Sequence, residues 1–191
     1  MVALTFNPEE TVYWRATAAN AYAFGDPSAQ RTFTTPPVTA SAAISPDSGG
    51  TLTPDPGNIS IQFPPGAVTA QTTLTYTLQA VPNHDLANFR FGGRAFTLEA
   101  SDASGPVTTF QRPFTLTITY DSTDLLAAGI GDPSRLNLLF WNGSAWEKIL
   151  PCAGCSIDTV RQTVTVVLGH MTEFALAAPA ETRAYVPVVW R

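Results

Sequence analysis

Pro113-Phe114-Thr115-Leu116-Thr117-Ile118-Thr119-Tyr120 places an apolar side chain at every second position, with threonine between. Successive residues of a strand point to opposite faces, so this octet makes a strand with one oily face and one hydroxyl face. Its β-branched and aromatic content suits a pleated, half-buried surface. The same period of two returns in Thr72-Thr73-Leu74-Thr75-Tyr76-Thr77-Leu78-Gln79, while long runs at a period of 3.6 are absent. Outward from the octet, alternation predicts strands over 10–18, 29–35, 49–53, 58–63, 72–79, 94–100, 113–120, 135–141, 145–149, 163–168 and 173–178. Turn-formers punctuate them at Asp47-Ser48-Gly49-Gly50, Pro54-Asp55-Pro56-Gly57, Pro64-Pro65-Gly66, Gly92-Gly93 and Asn142-Gly143-Ser144. One helix is expected at Leu125-Ala128, with Asp121, Ser122 or Thr123 as cap and Gly129 as stop. Short strands at this spacing make an all-β fold, a β-sandwich.

Composition narrows the chemistry. The 191 residues carry 13% charge, against roughly 25% in an average soluble domain. Lys148 is the single lysine, and the only histidines are His84 and His170. A net charge of −5 argues against nucleic acid, whose phosphates demand a basic surface. No apolar run reaches the roughly 20 residues of a membrane span. With two histidines and two cysteines, no metal site of the usual zinc kind is expected, and no cofactor motif is present. Met1-Val2-Ala3-Leu4-Thr5-Phe6 has no cationic or apolar leader. The remainder is Thr- and Pro-rich and lysine-poor, so the chain is expected to be a piece of an exported protein whose signal peptide lies elsewhere.

Two family resemblances divide the chain. Thr11-Val12-Tyr13-Trp14-Arg15-Ala16-Thr17-Ala18-Ala19-Asn20, followed by Phe33-Thr34-Thr35-Pro36, resembles the last two strands of a fibronectin type III domain. Val12 stands where that family usually has its corner tyrosine, and only the final third of such a domain is matched. Residues 1–36 are therefore read as a partial fibronectin type III-like module, and 37–43, with Pro36-Pro37 at its head, as a stiff linker. Ser48-Gly49-Gly50-Thr51-Leu52 and Phe63-Pro64-Pro65-Gly66-Ala67 then look like the opening of a ZU5 domain. Residues 44–179 become a ZU5/GAIN-like β-sandwich, with an apolar tail over 180–191.

The chemistry-bearing segment is Phe140-Trp141-Asn142-Gly143-Ser144-Ala145-Trp146, followed by Gly169-His170-Met171-Thr172-Glu173-Phe174-Ala175. It is similar to the self-cleavage segment of GAIN domains, where His-Leu-Thr-x-Phe-Ala is cut before the threonine. Here Met171 replaces the leucine, and Val166-Val167-Leu168 replaces an expected Cys-x-Cys. The residues alone make the same case. Two positions apart on a strand, His170 and Thr172 share a face, and a neutral imidazole can take a hydroxyl proton. Thr172 would attack the Met171 carbonyl, and water would open the resulting ester. The fold must twist that peptide at a cost of about 1–4 kcal/mol, and Gly169 is a natural bend. The competing reading makes His170-Met171-Thr172 merely the start of a closing strand.

The remaining groups are weaker. Cys152-Ala153-Gly154-Cys155 reads as a local disulfide rather than a redox or zinc motif. His84-Asp85 reads as a solvated turn before a metal pair, and Asp121, Asp124 and Asp132 as turn and cap residues before calcium ligands. Asn58-Ile59-Ser60 and Asn142-Gly143-Ser144 fit the glycosylation pattern but sit naturally in turns. The expected function is a non-catalytic structural or adhesion module at a cell surface, its partner a protein or a glycan. Self-cleavage at Met171–Thr172 and glycan binding through Trp141 and Trp146 are the alternatives, the two tryptophans being expected in the core first and on a binding surface second.

Overall fold

The computed structural model describes residues 11–19, 24–34, 38–54 and 58–180. The opening residues 1–10, part of the turn at 55–57 and the tail from 181 lie outside the described residues, as do 20–23 and 35–37. Strands dominate and pair antiparallel, as the alternation predicts.

The first strands form two small ladders. β1 (Thr11–Trp14) pairs with β4 (Arg31–Thr34), and β2 (Thr17–Ala19) pairs with β3 (Phe24–Pro27). Tyr13 and Phe24 stay 64% and 84% exposed, because a two-stranded ribbon has no second layer to cover its aromatic side.

The sandwich follows. Its strands are β5 (Thr39–Ile44), β6 (Gly50–Leu52), β7 (Ile59–Phe63), β8 (Thr72–Gln79), β9 (Phe89–Asp102), β10 (Gly105–Pro106), β11 (Thr109–Thr119), β12 (Asn137–Trp141), β13 (Trp146–Lys148), β14 (Ser156–Asp158), β15 (Thr163–His170) and β16 (Glu173–Pro179). One sheet runs β13-β12-β16-β9-β8-β5, with β10 folded back on β9. The other runs β14-β15-β11-β7-β6. The chain passes between sheets from β5 to β6 through a tight turn, where Ser45 and Gly49 exchange both backbone hydrogen bonds. Gly49 has φ +70°, and a Cβ there would lie 2.0 Å from the Phe63 carbonyl oxygen, so only glycine fits.

The opening octet does what its alternation requires. Phe114, Leu116 and Ile118 are completely buried between the sheets, and Phe114 stacks on Phe63 at 4.6 Å. Their threonine neighbours face outward, where Thr117 and Thr165 hydroxyls meet at 3.3 Å across the β11–β15 ladder. Burying each such apolar side chain is worth about 1.5–3 kcal/mol. Ile44, Tyr76, Phe96, Leu138, Phe174 and Leu176 supply the core from the larger sheet. A second, smaller cluster lies on the other side of that sheet. Ala95, Leu139, Ala175 and Ala177 alternate with the inner residues and are capped by Leu86. β16 is consequently buried on both faces.

The structure departs from the alternation at instructive places. Residues 39–43, read from sequence as linker, belong to β5 and pair residue for residue with β8. Thr-Ala-Ser-Ala-Ala has little strand propensity of its own; an edge position beside a strong neighbour supplies the missing preference. Gly92-Gly93 does not end a strand but lies inside β9. Gly93 has φ +86°, and the β9–β16 register shifts between Ala175 and Ala177, so the pair kinks the strand without breaking it. The helix is α1 (Ser122–Ala127), with the Asp121 carboxylate accepting the Thr123 N–H and Leu125 buried. Cys152 and Cys155 are disulfide-bonded on the connection that leaves β13 for β14, in the opposite sheet. Among the described residues no helix is long and apolar enough to cross a membrane.

Candidate functional site

β15 ends at His170 in the smaller sheet, and β16 begins at Glu173 in the larger one. Met171 and Thr172 are the whole crossing between layers. The parity that puts residues i and i+2 on one face holds only within a strand. It therefore stops applying at the point where His170 and Thr172 were expected to meet.

The two side chains have different surroundings. The Thr172 hydroxyl donates to the Trp141 carbonyl of β12 at 2.6 Å, while its own carbonyl accepts the Leu98 N–H at 3.0 Å. Thr172 is thus tied on both sides into the larger sheet. The His170 ring stands edge-on to Phe140 with centroids 4.8 Å apart. Its Nε2 is buried and has no hydrogen-bond partner. Among the described residues no hydrogen bond joins His170 to Thr172. Both line one open groove of about 520 Å³ with Met171, Phe140, Trp141 and Asn142. Gly169 stays inside β15, with open space around its Cα.

One residue further on, a second cluster forms that the motif does not mark. Glu173 is only 6% exposed, and its carboxylate points to the outer side of the larger sheet. One oxygen accepts the Asn83 N–H at 2.6 Å and the other lies 2.8 Å from His84 Nδ1. With the carboxylate accepting, Nδ1 donates this bond and Nε2 is left for other partners. That ring lies flat on Trp141, with centroids 3.8 Å apart and planes 9° from parallel. Trp146 meets Trp141 edge to face at 5.6 Å, and its indole N–H donates to the His84 carbonyl at 3.3 Å. Loop 80–88 and the β12–β13 hairpin thereby enclose a cleft of about 570 Å³.

Trp141 joins the two places. Its carbonyl holds Thr172, its ring holds His84, and its neighbour Phe140 faces His170. The tryptophans form a lining wall of the cleft on the outer face and are not in the central core. The candidate glycosylation residue Asn142 is engaged in its own turn, where its side-chain oxygen accepts the N–H groups of Ser144 and Ala145. Asp121 and Asp132 cap α1 and the short 3₁₀ turn Pro133–Arg135. The His84–Glu173 pair was legible only as a hint: a lone acidic residue opening the otherwise apolar Phe174-Ala175-Leu176-Ala177-Ala178 needs a partner if it is buried. No family model matches the chain, and no curated protein matches it.

Proposed function

We propose that the chain is a non-catalytic structural or adhesion module of a larger secreted or surface protein. In this reading fibronectin type III-like strands precede a ZU5/GAIN-like sandwich, and the partner is a protein or glycan at the cell surface. The observation that carries it is the hydrogen bond from Thr172 to Trp141. It commits the candidate nucleophile's proton to a carbonyl, which cannot act as a base, and it uses the hydroxyl to fasten the sheet crossing. The disulfide across another sheet-to-sheet connection supports an oxidising compartment.

A second reading has its own observation. His170 Nε2 is buried, unpaired and in the same groove as Thr172, as a general base awaiting a proton would be. For self-cleavage Thr172 must leave Trp141 and give its proton to His170. Its oxygen would then bond the Met171 carbonyl carbon, the peptide nitrogen would leave protonated, and water would hydrolyse the ester. Intact mass under denaturing conditions separates the two readings. The structural reading expects one full-length species after long incubation. Two species, the smaller beginning at Thr172, would overturn it, provided Thr172→Ala restores the single mass.

A further inference from the structure

The outer cleft is built with more care than a surface loop needs. Loop 80–88 is fixed at four points: Glu173 takes both the Asn83 N–H and the His84 ring, Trp146 bonds the His84 carbonyl, and Leu86 is buried in the outer cluster. Ala87 sits at φ +50°, a left-handed conformation that costs a residue with a Cβ about 1–2 kcal/mol. The Asp85 carboxylate holds it there by accepting the Ala87 N–H at 3.0 Å. Such local strain persists only where the surroundings over-determine it.

We propose that this cleft is a binding site for a neutral saccharide. The volume of about 570 Å³ suits one or two sugar rings. Trp146 lines the cleft as an apolar wall against which the C–H face of a pyranose packs, beside Trp141, one face of which is covered by the His84 ring. Sugar hydroxyls need acceptors and donors in alternation around that wall. His84 offers Nε2, an acceptor in the neutral ring and a donor in the protonated one, oriented by the buried Glu173 in the way a second carboxylate orients a ligating histidine. Asp85 offers a carboxylate, Asn88 an amide and Ser144 a hydroxyl oxygen whose proton is given to Asn142, all lining the same cleft. No lysine or arginine lines it among the described residues, although the Lys148 ammonium stands 5.5 Å from the ring centroid of the lining residue Phe89, and the Asp85 carboxylate inside it disfavours phosphate, sulfate and carboxylate ligands. His84, Asp85 and Ser144 are each held by a hydrogen bond before any ligand arrives, so little ordering of them is left for binding to oppose.

The test uses the full chain and defined trisaccharides: cellotriose, maltotriose, mannotriose, xylotriose and chitotriose. Each is titrated into isotope-labelled protein while the indole N–H resonances are followed. At least one sugar shifts the Trp141 and Trp146 resonances saturably and leaves that of Trp14, exposed on β1, in place. Trp146→Ala and His84→Ala each weaken that sugar by roughly tenfold or more. Asp85→Asn, which keeps the oxygen that holds Ala87, weakens it by a smaller factor. The proposal is overturned if no sugar gives a saturable shift, if Trp14 moves in parallel, or if the variants bind as the parent does. The wild-type titration needs no variant to fold. It is also read independently of intact mass, so failure here and failure of the structural reading are distinct results.

Discussion

His170 and His84 lie on the two sides of Trp141, and the protein treats them in opposite ways. His170 is half-buried and its Nε2 is buried with no partner; His84 has a 41% exposed side chain, yet it is held by a carboxylate that is almost wholly buried. One ring touches aromatic carbon edge-on, the other lies flat on a tryptophan. The familiar sequence pattern surrounds the first. The hydrogen-bonded constellation surrounds the second, brought together across 89 residues of chain. The difference shows what each is for in physical terms. An unpartnered nitrogen inside a sandwich is a standing cost of about 1–3 kcal/mol unless something uses it. A ring partnered through one nitrogen at the surface presents the other in a fixed direction.

The largest effect that would sharpen this contrast comes from Glu173. Glu173→Ala removes the acceptor of two donors at once and leaves the Asn83 N–H against an apolar sheet face. A loss of about 1–3 kcal/mol is expected by chemical denaturation. Amide exchange at Asn83 should quicken more than exchange within β11, because the damage is confined to loop 80–88. Glu173→Gln retains an oxygen for Asn83 and should recover part of the loss. Equal stability for Glu173→Ala and the parent would mean that loop 80–88 is not fastened there.

The groove is expected to respond less, and its two residues in opposite directions. Thr172→Val keeps the branched shape and deletes one hydroxyl bond, for a loss of about 0.5–1.5 kcal/mol. His170→Phe deletes the unpaired nitrogen and keeps an aromatic ring beside Phe140. It should stay within about 0.5 kcal/mol of the parent or exceed it. Urea midpoints at constant slope measure both. If His170→Phe proved as damaging as Glu173→Ala, the ring would have to be a structural donor or acceptor after all, and the contrast between the histidines would fall.

The sandwich was legible because burial between two sheets imposes the period that Phe114, Leu116 and Ile118 display. The helix was legible for a similar local reason: Asp121 and Gly129 are its chemical ends. What escaped was decided by neighbours. Residues 39–43 became a strand because β8 had an open edge, and Gly92-Gly93 stayed in a strand because β9 pairs with β16 on either side of them. The sites follow the same division. His170, Met171 and Thr172 stand out by spacing, but the spacing rule presumes one strand and the chain changes sheets there. Glu173 and His84 belong to no local pattern. Only the register of β16 beside β12, and the loop lying over them, creates the pair.

The smallest effect tests whether either region draws on the turns around the sandwich. Asp121 and Asp132 are exposed and Asp158 is half-buried, and all three carboxylates are held below their ordinary value of 3.8. The main cause is the Thr123 backbone N–H for Asp121, the Ser134 hydroxyl for Asp132 and the Arg161 backbone N–H for Asp158. The sign follows from the lowering. The folded protein favours the charged form, so these groups stabilise it above the unfolded carboxylate range, and the contribution is lost as pH falls through their folded values. Stability should therefore be flat in these groups near neutrality and decline below about pH 4. Replacing all three by asparagine, which still accepts a turn hydrogen bond, should flatten that acid decline in urea titrations by lowering the neutral midpoint slightly towards the acid one. Because the three turns lie away from Trp141, intact mass and saccharide response should be those of the parent. A change in either would mean that the rim of the sandwich, and not only β12 and β16, sets the geometry around the two histidines.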